Sequence, residues 1–552
     1  MRRAVTKIAG SLGVASLLVA QAGEAAASEP WADADPATPP ARVDLGDFGF
    51  KGAAEYRTQA LFVNPIALSD ENARGIGWID QRLRLDGGVD WQDKVRLVVS
   101  ADVLDGVLFG DNGTLGSSPE PLSGANVTAR NPNLAVACIG LKGGDPLLPE
   151  SYGYTLCPAT PLFVRKAYGE ILLPFGLLRI GRQTANEGMG VQSADGDGRT
   201  NRFGVAHTGN VVDRVLFATK PLEALKPDAE RDRSTTEGLF TGVTYDRVVT
   251  DSPSSFKDDV HQVSLGFRYL ASKYPLGRDL KLAGYYVYRF DRQFGTAIDS
   301  IGLRAMSRFG DFQAGVDAAL VLGSTREVSE AYRTITSDPA VDQTVTQLGA
   351  RAVVRYDKPP FTAYMEADFA SGDDDPTPRS SLTQFTFAED TNVGLLMFKH
   401  ALGFQSARSS LAGVELLKRL GARSFPAEAI NTRGAFTNAF ALFPQFDVRP
   451  WDGWLFRAGA LIAWAATPLI SPIQSLQARD GLTIKDDLVN FAGGKPGRFY
   501  GTELDGRIQY RVYDHFVADL EGAVLFPGSA LQDADGYAAR SVLVQGRTTF
   551  YF

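Results

Sequence analysis

The chain has 552 residues, 22% of them charged and 44% hydrophobic, and carries a formal charge of −8 at neutral pH. An acidic balance with no basic block argues against a nucleic-acid binder. The length would ordinarily mean several soluble domains, yet an all-β barrel can spend it on one, and no linker divides the sequence.

At the N-terminus, Arg2, Arg3 and Lys7 precede or flank an apolar stretch at 8–19 that runs into small residues, the pattern of an export signal. The stretch falls short of the roughly 18 apolar residues a membrane anchor needs. The small-x-small rule permits cleavage after Ala22 or after Ala27. Residues 1–27 are therefore read as a signal peptide, the Pro- and Ala-rich residues 28–44 as a flexible periplasmic lead-in, and 45–552 as one domain.

From residue 48 onward the dominant signal is alternation with a period of two. Ile79, Gln81, Leu83, Leu85, Val89 and Trp91 share one face, while Asp80, Arg82, Arg84, Asp86 and Asp90 share the other. Helical spacing would scramble both sets. After Gln92-Asp93-Lys94 the pattern resumes through Val95, Leu97, Val99, Ala101 and Val103. Comparable segments fall at 48–63, 163–173, 177–183, 212–219, 239–249, 263–270, 280–291, 301–309, 312–322, 348–356, 361–369, 437–448, 454–464, 503–512, 516–526 and 542–552. Together they predict an all-β fold, a transmembrane antiparallel up-and-down barrel of about 18 strands.

Connection lengths alternate as well. Short turns are expected at 92–94, 174–176, 310–311, 357–360, 451–453 and 513–515, and long polar loops at 108–161, 184–211, 323–343, 371–434 and 466–500. Short periplasmic turns with long extracellular loops are the outer-membrane pattern; a β-sandwich has no reason to alternate this way. The long, charged stretch 220–236 breaks the rule on the turn side. Rings near strand ends, among them Trp78, Trp91, Tyr269, Phe290, Phe309, Tyr356, Trp454, Phe516 and Phe526, are expected to form two interfacial girdles.

The loops carry three further features. Cys138 and Cys157, in an exported chain, favour a disulfide, with two free thiols as the alternative. Asp195-Gly196-Asp197-Gly198 matches part of a calcium loop but lacks the remaining ligands, so a plain Gly-Asp turn is the simpler reading. In 371–434, Leu395, Phe398 and Leu402, with Leu411, Leu416 and Leu417 beyond, need a surface to bury against. Packing into the pore is one solution, contact with lipopolysaccharide or a partner is another, and a loop lying on the barrel rim is the plain alternative.

Catalytic chemistry has little to work with. The four histidines, His207, His261, His400 and His515, fall in separate segments, and no nucleophile elbow or phosphate loop occurs. No enzyme, cofactor or metal site is expected.

Several strings call up a known family. Leu178-Arg179-Ile180-Gly181-Arg182-Gln183 with its Gly- and Asp-rich loop, Ala370-Ser371-Gly372-Asp373, and Gly501-Thr502-Glu503-Leu504-Asp505 resemble alginate-export-type outer-membrane porins. The resemblance implies an 18-stranded barrel passing an anionic polysaccharide or small solutes. The final strand, ending on Phe552, resembles the signal read by the barrel-assembly machinery. The expected surroundings are outer-membrane lipid and lipopolysaccharide of a Gram-negative bacterium, and the expected state is a monomer.

Charges sort by face. Opposite the apolar positions, basic residues slightly outnumber acids although the chain is acidic, which puts the acid surplus in loops. Arg82, Arg84, Arg304, Arg308, Arg351, Arg355, Arg507, Arg511 and Arg547 are the candidate pore-lining residues, and Arg268, Lys281 and Arg289 share that face. Arg507 and Arg547 have Asp519 and Glu521 within cross-strand reach. The strands of Arg304, Arg308, Arg351 and Arg355 are poor in acids, so a basic stripe is expected there, with preference for carboxylate-bearing solutes. The rival is a structural or adhesion barrel with a plugged lumen.

Overall fold

The computed structural model describes residues 41–68, 75–110, 160–184, 188–192, 201–205, 211–250, 260–292, 294–336, 339–375, 377, 379–388, 391–406, 432, 434–513 and 515–552. The signal peptide, the pair Cys138 and Cys157, and the Asp195–Asp197 turn lie outside these residues.

One antiparallel sheet holds nineteen strands. They are β1 (Ala41–Leu45), β2 (Phe48–Asn64), β3 (Ile76–Trp91), β4 (Val95–Gly110), β5 (Thr160–Leu173), β6 (Gly176–Thr184), β7 (Val211–Thr219), β8 (Gly238–Thr250), β9 (His261–Tyr274) and β10 (Gly277–Asp291). The rest are β11 (Thr296–Phe309), β12 (Phe312–Thr325), β13 (Gln343–Lys358), β14 (Phe361–Ala370), β15 (Ala439–Val448), β16 (Trp454–Ala465), β17 (Phe499–Val512), β18 (Phe516–Pro527) and β19 (Ser541–Tyr551).

Each strand pairs with the next, and β19 returns to β2 from Val542 opposite Asn64 to Tyr551 opposite Glu55. Strands β2–β19 thus close an 18-stranded barrel, which leaves no row of unpaired edge amides. The terminal residue fastens the seam, since Phe552 and Ala54 exchange backbone hydrogen bonds of 2.8 and 2.9 Å. Below that point the same edge of β2 is covered by β1, from Ala41 opposite Gly52 to Leu45 opposite Phe48. The end of the expected lead-in is therefore a strand, formed because β19 stops short of the lower end of β2.

The outer wall is inverted relative to a water-soluble protein. Leu265, Leu303, Leu504, Leu520 and Val544 stand exposed on outward positions, Leu303 by 61%, while the inward positions carry charge. Only lipid can cover such a surface without cost, and the chain is a transmembrane barrel of the outer membrane. No helix among the described residues is long and apolar enough to cross a membrane. Rings pack in tilted pairs between neighbouring strands at the turn end, as in Phe312–Tyr356 at 4.7 Å, Trp454–Tyr510 at 4.6 Å and Phe516–Phe550 at 5.0 Å. Trp78 is not part of a girdle. It shares the parity of Asp80, points into the lumen with 7% exposed, and donates from Nε1 to Asp80 at 3.1 Å.

The irregular connection between β7 and β8 is built rather than loose. Helix Pro221–Ala224 and a 3-10 turn at Asp228–Glu230 are tied by Lys220–Asp232 at 2.7 Å and Arg233–Asp228 at 2.8 Å. Arg231 donates to the Pro174 carbonyl of the adjacent turn at 2.7 Å.

Candidate functional site

The inward face of the barrel is a lattice of buried ion pairs. Arg84 grips Asp102 with both fork nitrogens at 2.7 and 3.0 Å, and Arg165 reaches the same carboxylate at 2.8 Å. Arg82 pairs with Glu55 at 2.5 Å, and Arg179 with Glu170 at 2.7 Å. Across β17, β18 and β19, Arg507 and Arg547 share Asp519, each at 2.8 Å, and Arg547 also holds Glu521 at 3.0 Å. Arginines stand directly opposite one another at Arg57–Arg82 and Arg457–Arg507, an arrangement that would repel without acids on the flanking rungs.

The expected unbalanced stripe is balanced. Asp317 lies opposite both Arg304 and Arg351. Arg304 contacts it at 3.3 Å, while Arg351 takes Asp368 at 2.6 Å and Glu366 at 3.1 Å. Arg355 pairs with Asp357 at 2.8 Å, and Arg308 stands 4.0 Å from Asp279. Face-sorting put these arginines in the lumen, but their partners sit on neighbouring strands and turn ends, where a strand-by-strand count does not look. Arg511 faces inward too, near the turn end of β17.

Among the described residues, three chain segments enter the lumen and use this lattice as their seat. In the first, the Met189 amide donates to Asp317 at 2.9 Å and its carbonyl accepts from Arg351 at 2.9 Å. In the second, Arg202 donates to Gln445 at 2.7 Å and Asp447 at 3.0 Å, and its guanidinium lies 4.0 Å from the Tyr364 ring centre. The Arg202 carbonyl accepts from Arg457 and Arg507, and the Gly204 amide donates to Glu521 at 2.8 Å. Both segments belong to the loop between β6 and β7, whose inward course the sequence reading did not anticipate. The available signal was apolar: Met189, Val191 and Phe203 interrupt a Gly- and Asp-rich loop, and all three are buried.

The third segment is the middle of the β14–β15 loop. Leu395 and Leu396 donate their amides to one oxygen of Glu503 at 2.7 and 2.8 Å, and Met397 donates to the other at 2.5 Å. These are the leading amides of a π-helical turn, Met397–Leu402, whose own carbonyls cannot satisfy them, and a carboxylate there also complements the turn's dipole. Gly394 permits the approach. Its φ is +73°, and a Cβ would fall 2.8 Å from a Glu503 oxygen.

Leu395, Leu396, Phe398, Ala401 and Phe404 then pack with Leu61, Val63, Phe436, Leu461, Tyr500 and Leu543 into one apolar core. Full burial of each large side chain is worth about 1.5–3 kcal/mol. Of the solutions open to Leu395, Phe398 and Leu402, the inward one is taken; Leu411, Leu416 and Leu417 lie outside the described residues. His400 is buried beside Trp78, ring centres 6.0 Å apart. Burial, with Lys399 adding to it, pushes its pKa down to about 3, so it sits in this core as a neutral ring.

The filling is one-sided. Inward positions of β14, β15, β17 and β18 are mostly buried, whereas those of β9 and β10, the buried Asp291 apart, remain open to water in whole or in part. The water-facing wall carries Gln262, Ser264, Arg268, Lys281, Ala283, Tyr285, Val287 and Arg289. Strand β9 contains no acid, and β10 carries its acids near its two ends, Asp279 and Asp291.

No protein-family model matches the chain, and no curated protein matches it. Among solved structures, it is similar to OccK2 (OpdF) of Pseudomonas aeruginosa, at 11% identity and TM-score 0.46 over 91% of this chain and 97% of that one. It is similar to OccAB1 of Acinetobacter baumannii, at 10% identity and TM-score 0.46 over 91% and 96% of the two chains. It is also similar to the outer membrane protein opdK of Pseudomonas aeruginosa, at 10% identity and TM-score 0.44 over 91% and 98%.

Proposed function

We propose that the protein is a porin-like channel whose passage runs along β9 and β10 and prefers anions. Its work is selection and passage rather than bond chemistry. The observation that carries this reading is the wall just described: among the described residues, β9 and β10 turn Arg268, Lys281 and Arg289 toward the part of the lumen left open to water and carry acids only near the ends of β10, while Arg351, Arg457 and Arg507 help to seat the plug. Low-dielectric walls focus the field of Arg268, Lys281 and Arg289 on a passing solute. The planar fork of arginine suits a carboxylate. The solute class is thus a carboxylate-bearing molecule such as an acidic sugar or its polymer, in keeping with the resemblance to alginate-export-type porins.

On this reading the barrel works as a monomer, closed by its own β19, and reaches the membrane when the assembly machinery recognises that strand through Phe552. The test is a reversal potential in a salt gradient across a planar bilayer. Wild type should be anion-selective, and Arg268→Gln/Lys281→Gln/Arg289→Gln should shift it toward cations. Cation selectivity in wild type, or no shift in the variant, overturns the anion preference, and a barrel that conducts nothing favours the plugged structural or adhesion reading.

A further inference from the structure

Midway along the water-facing wall, one inward rung is glycine on every strand but one. Gly242 of β8 is opposite Gly266 of β9, Gly266 is opposite Tyr285 of β10, and Tyr285 is opposite Gly302 of β11. Glycine weakens a strand interior and often marks a place where another group approaches closely.

The two glycines beside Tyr285 differ. Gly302 is buried because the ring leans across it, so that a Cβ there would collide with Cζ, Oη and Cε1 of Tyr285. Gly266 is half-exposed, and a Cβ there would meet nothing nearer than 3.9 Å. On the lipid face of the same strands Phe267 leans over Gly284, but there Leu303 closes in as well, 3.3 Å from where a Cβ would stand. That outer pairing only fills the sheet. The inner one leaves a bare glycine next to a ring, which makes a shallow niche.

The niche lies at the margin of the plug. On the inward face of β11, Ser300 and Arg304 flank Gly302. Gln192 donates to the Ser300 hydroxyl, and Gly188 lies against the Arg304 guanidinium. A solute moving between the plug and the open wall therefore passes the half-exposed ring of Tyr285. The next inward residue on β9 is Arg268, about 7 Å toward the turn end.

We propose that Tyr285 and Gly266 form a subsite for a pyranose ring, and that Tyr285 makes the passage distinguish cyclic from open-chain carboxylates. The inference deepens the reading of an anion passage along β9 and β10 and rests on it. The face of an aromatic ring is negative, and the C–H bonds on one side of a pyranose ring complement it. The missing side chain at Gly266 gives the sugar its depth, and its carboxylate lies toward Arg268.

The test records current blocks on the purified full chain in a planar bilayer. The solutes are the methyl glycoside of glucuronate, which is locked as a pyranose, the open-chain gluconate of equal charge, and benzoate. In wild type the glycoside should dwell about fivefold longer than gluconate. Tyr285→Phe keeps the ring and should keep the preference, whereas Tyr285→Ile and Gly266→Val, which fills the niche, should bring the two to parity. Phe267→Leu, on the lipid face, should leave the preference intact. Heat-modifiable gel mobility checks that each variant is folded, and the wild-type comparison stands without any variant. Equal dwell times in wild type overturn the subsite, as does a preference that survives in folded Tyr285→Ile. Long blocks by benzoate with the glycoside and gluconate equal would make the niche aromatic-selective and overturn the sugar assignment. The reversal potential measured in the same bilayers separates the two levels: an anion-selective pore with equal dwell times removes the subsite alone, and a cation-selective pore blocked by neither acid removes the passage with it.

Discussion

Replacing Glu503 by Gln should loosen the plug without touching the open wall. The Glu503 carboxylate accepts three buried amides, from Leu395, Leu396 and Met397, at 2.5–2.8 Å. A hydrogen bond to a charged acceptor contributes about 1.5–3 kcal/mol net, and an abandoned buried donor costs about 1–3 kcal/mol. Gln keeps one acceptor for the first two amides, now uncharged, and turns an NH2 toward or away from the third, so about 3 kcal/mol is lost. That changes the ratio of docked to undocked plug by about a hundredfold. Single-channel recording should show more frequent and longer visits to a higher conductance level, and amide exchange across 391–406 should quicken. Glu503→Leu, which removes every acceptor, should exceed Gln on both readouts. Unchanged conductance levels together with unchanged exchange in both variants would refute the idea that this carboxylate holds the plug.

Arg202→Ala removes a buried cation from Gln445 and Asp447, but Asp447 keeps Arg457 at 2.7 Å, so about 1–3 kcal/mol of stability should be lost, read as a lower unfolding midpoint and faster exchange across 201–205. Gly394→Ala should mimic Glu503→Gln in single-channel traces, since a Cβ at φ +73° meets the Glu503 carboxylate; wild-type traces would contradict the close approach. His400 supplies a pH dependence with a definite sign. Its docked pKa is depressed to about 3, so the undocked state binds more protons below about 6.5, its ordinary value. Docking is then at full strength above that pH and weakens as pH falls toward 3, by roughly 2–3 kcal/mol at pH 4.5. His400→Phe should flatten this dependence of channel opening on pH, and an equally steep response in the variant would exclude His400 as its source.

Much of the barrel was legible because a strand with one face in lipid and one in a polar lumen must alternate, and alternation needs no partner to be seen. Each of the segments read from that pattern, from 48–63 to 542–552, is a strand. β1 was not legible, since Ala41–Leu45 is extended only because β2 offers it an edge. Trp78 was misplaced when residue type overrode position, although its parity with Asp80 already pointed inward. The lumen was half legible. Arg304, Arg351, Arg507 and Arg547 face inward as sorted, but pairing depends on register between strands. Asp317 meets Arg304 and Arg351 only through two ladders that sequence does not align. The seats of Met189, Arg202 and Leu395–Met397 are further removed. They join residues more than a hundred positions apart, and the one trace left in the sequence is a set of apolar residues in polar loops.

Conduction along β9 and β10 is tested most directly by single cysteines in a Cys138/Cys157-less background, recorded in a bilayer with a small charged thiol reagent. Ala283→Cys and Val287→Cys, inward on the open wall, should react and reduce the current in steps. Ala441→Cys and Ala523→Cys, inward but buried beneath the plug with 1% and 3% exposed, should leave it unchanged. Block at Ala441 and Ala523 with none at Ala283 and Val287 would place the passage on the other side of the barrel and contradict the account.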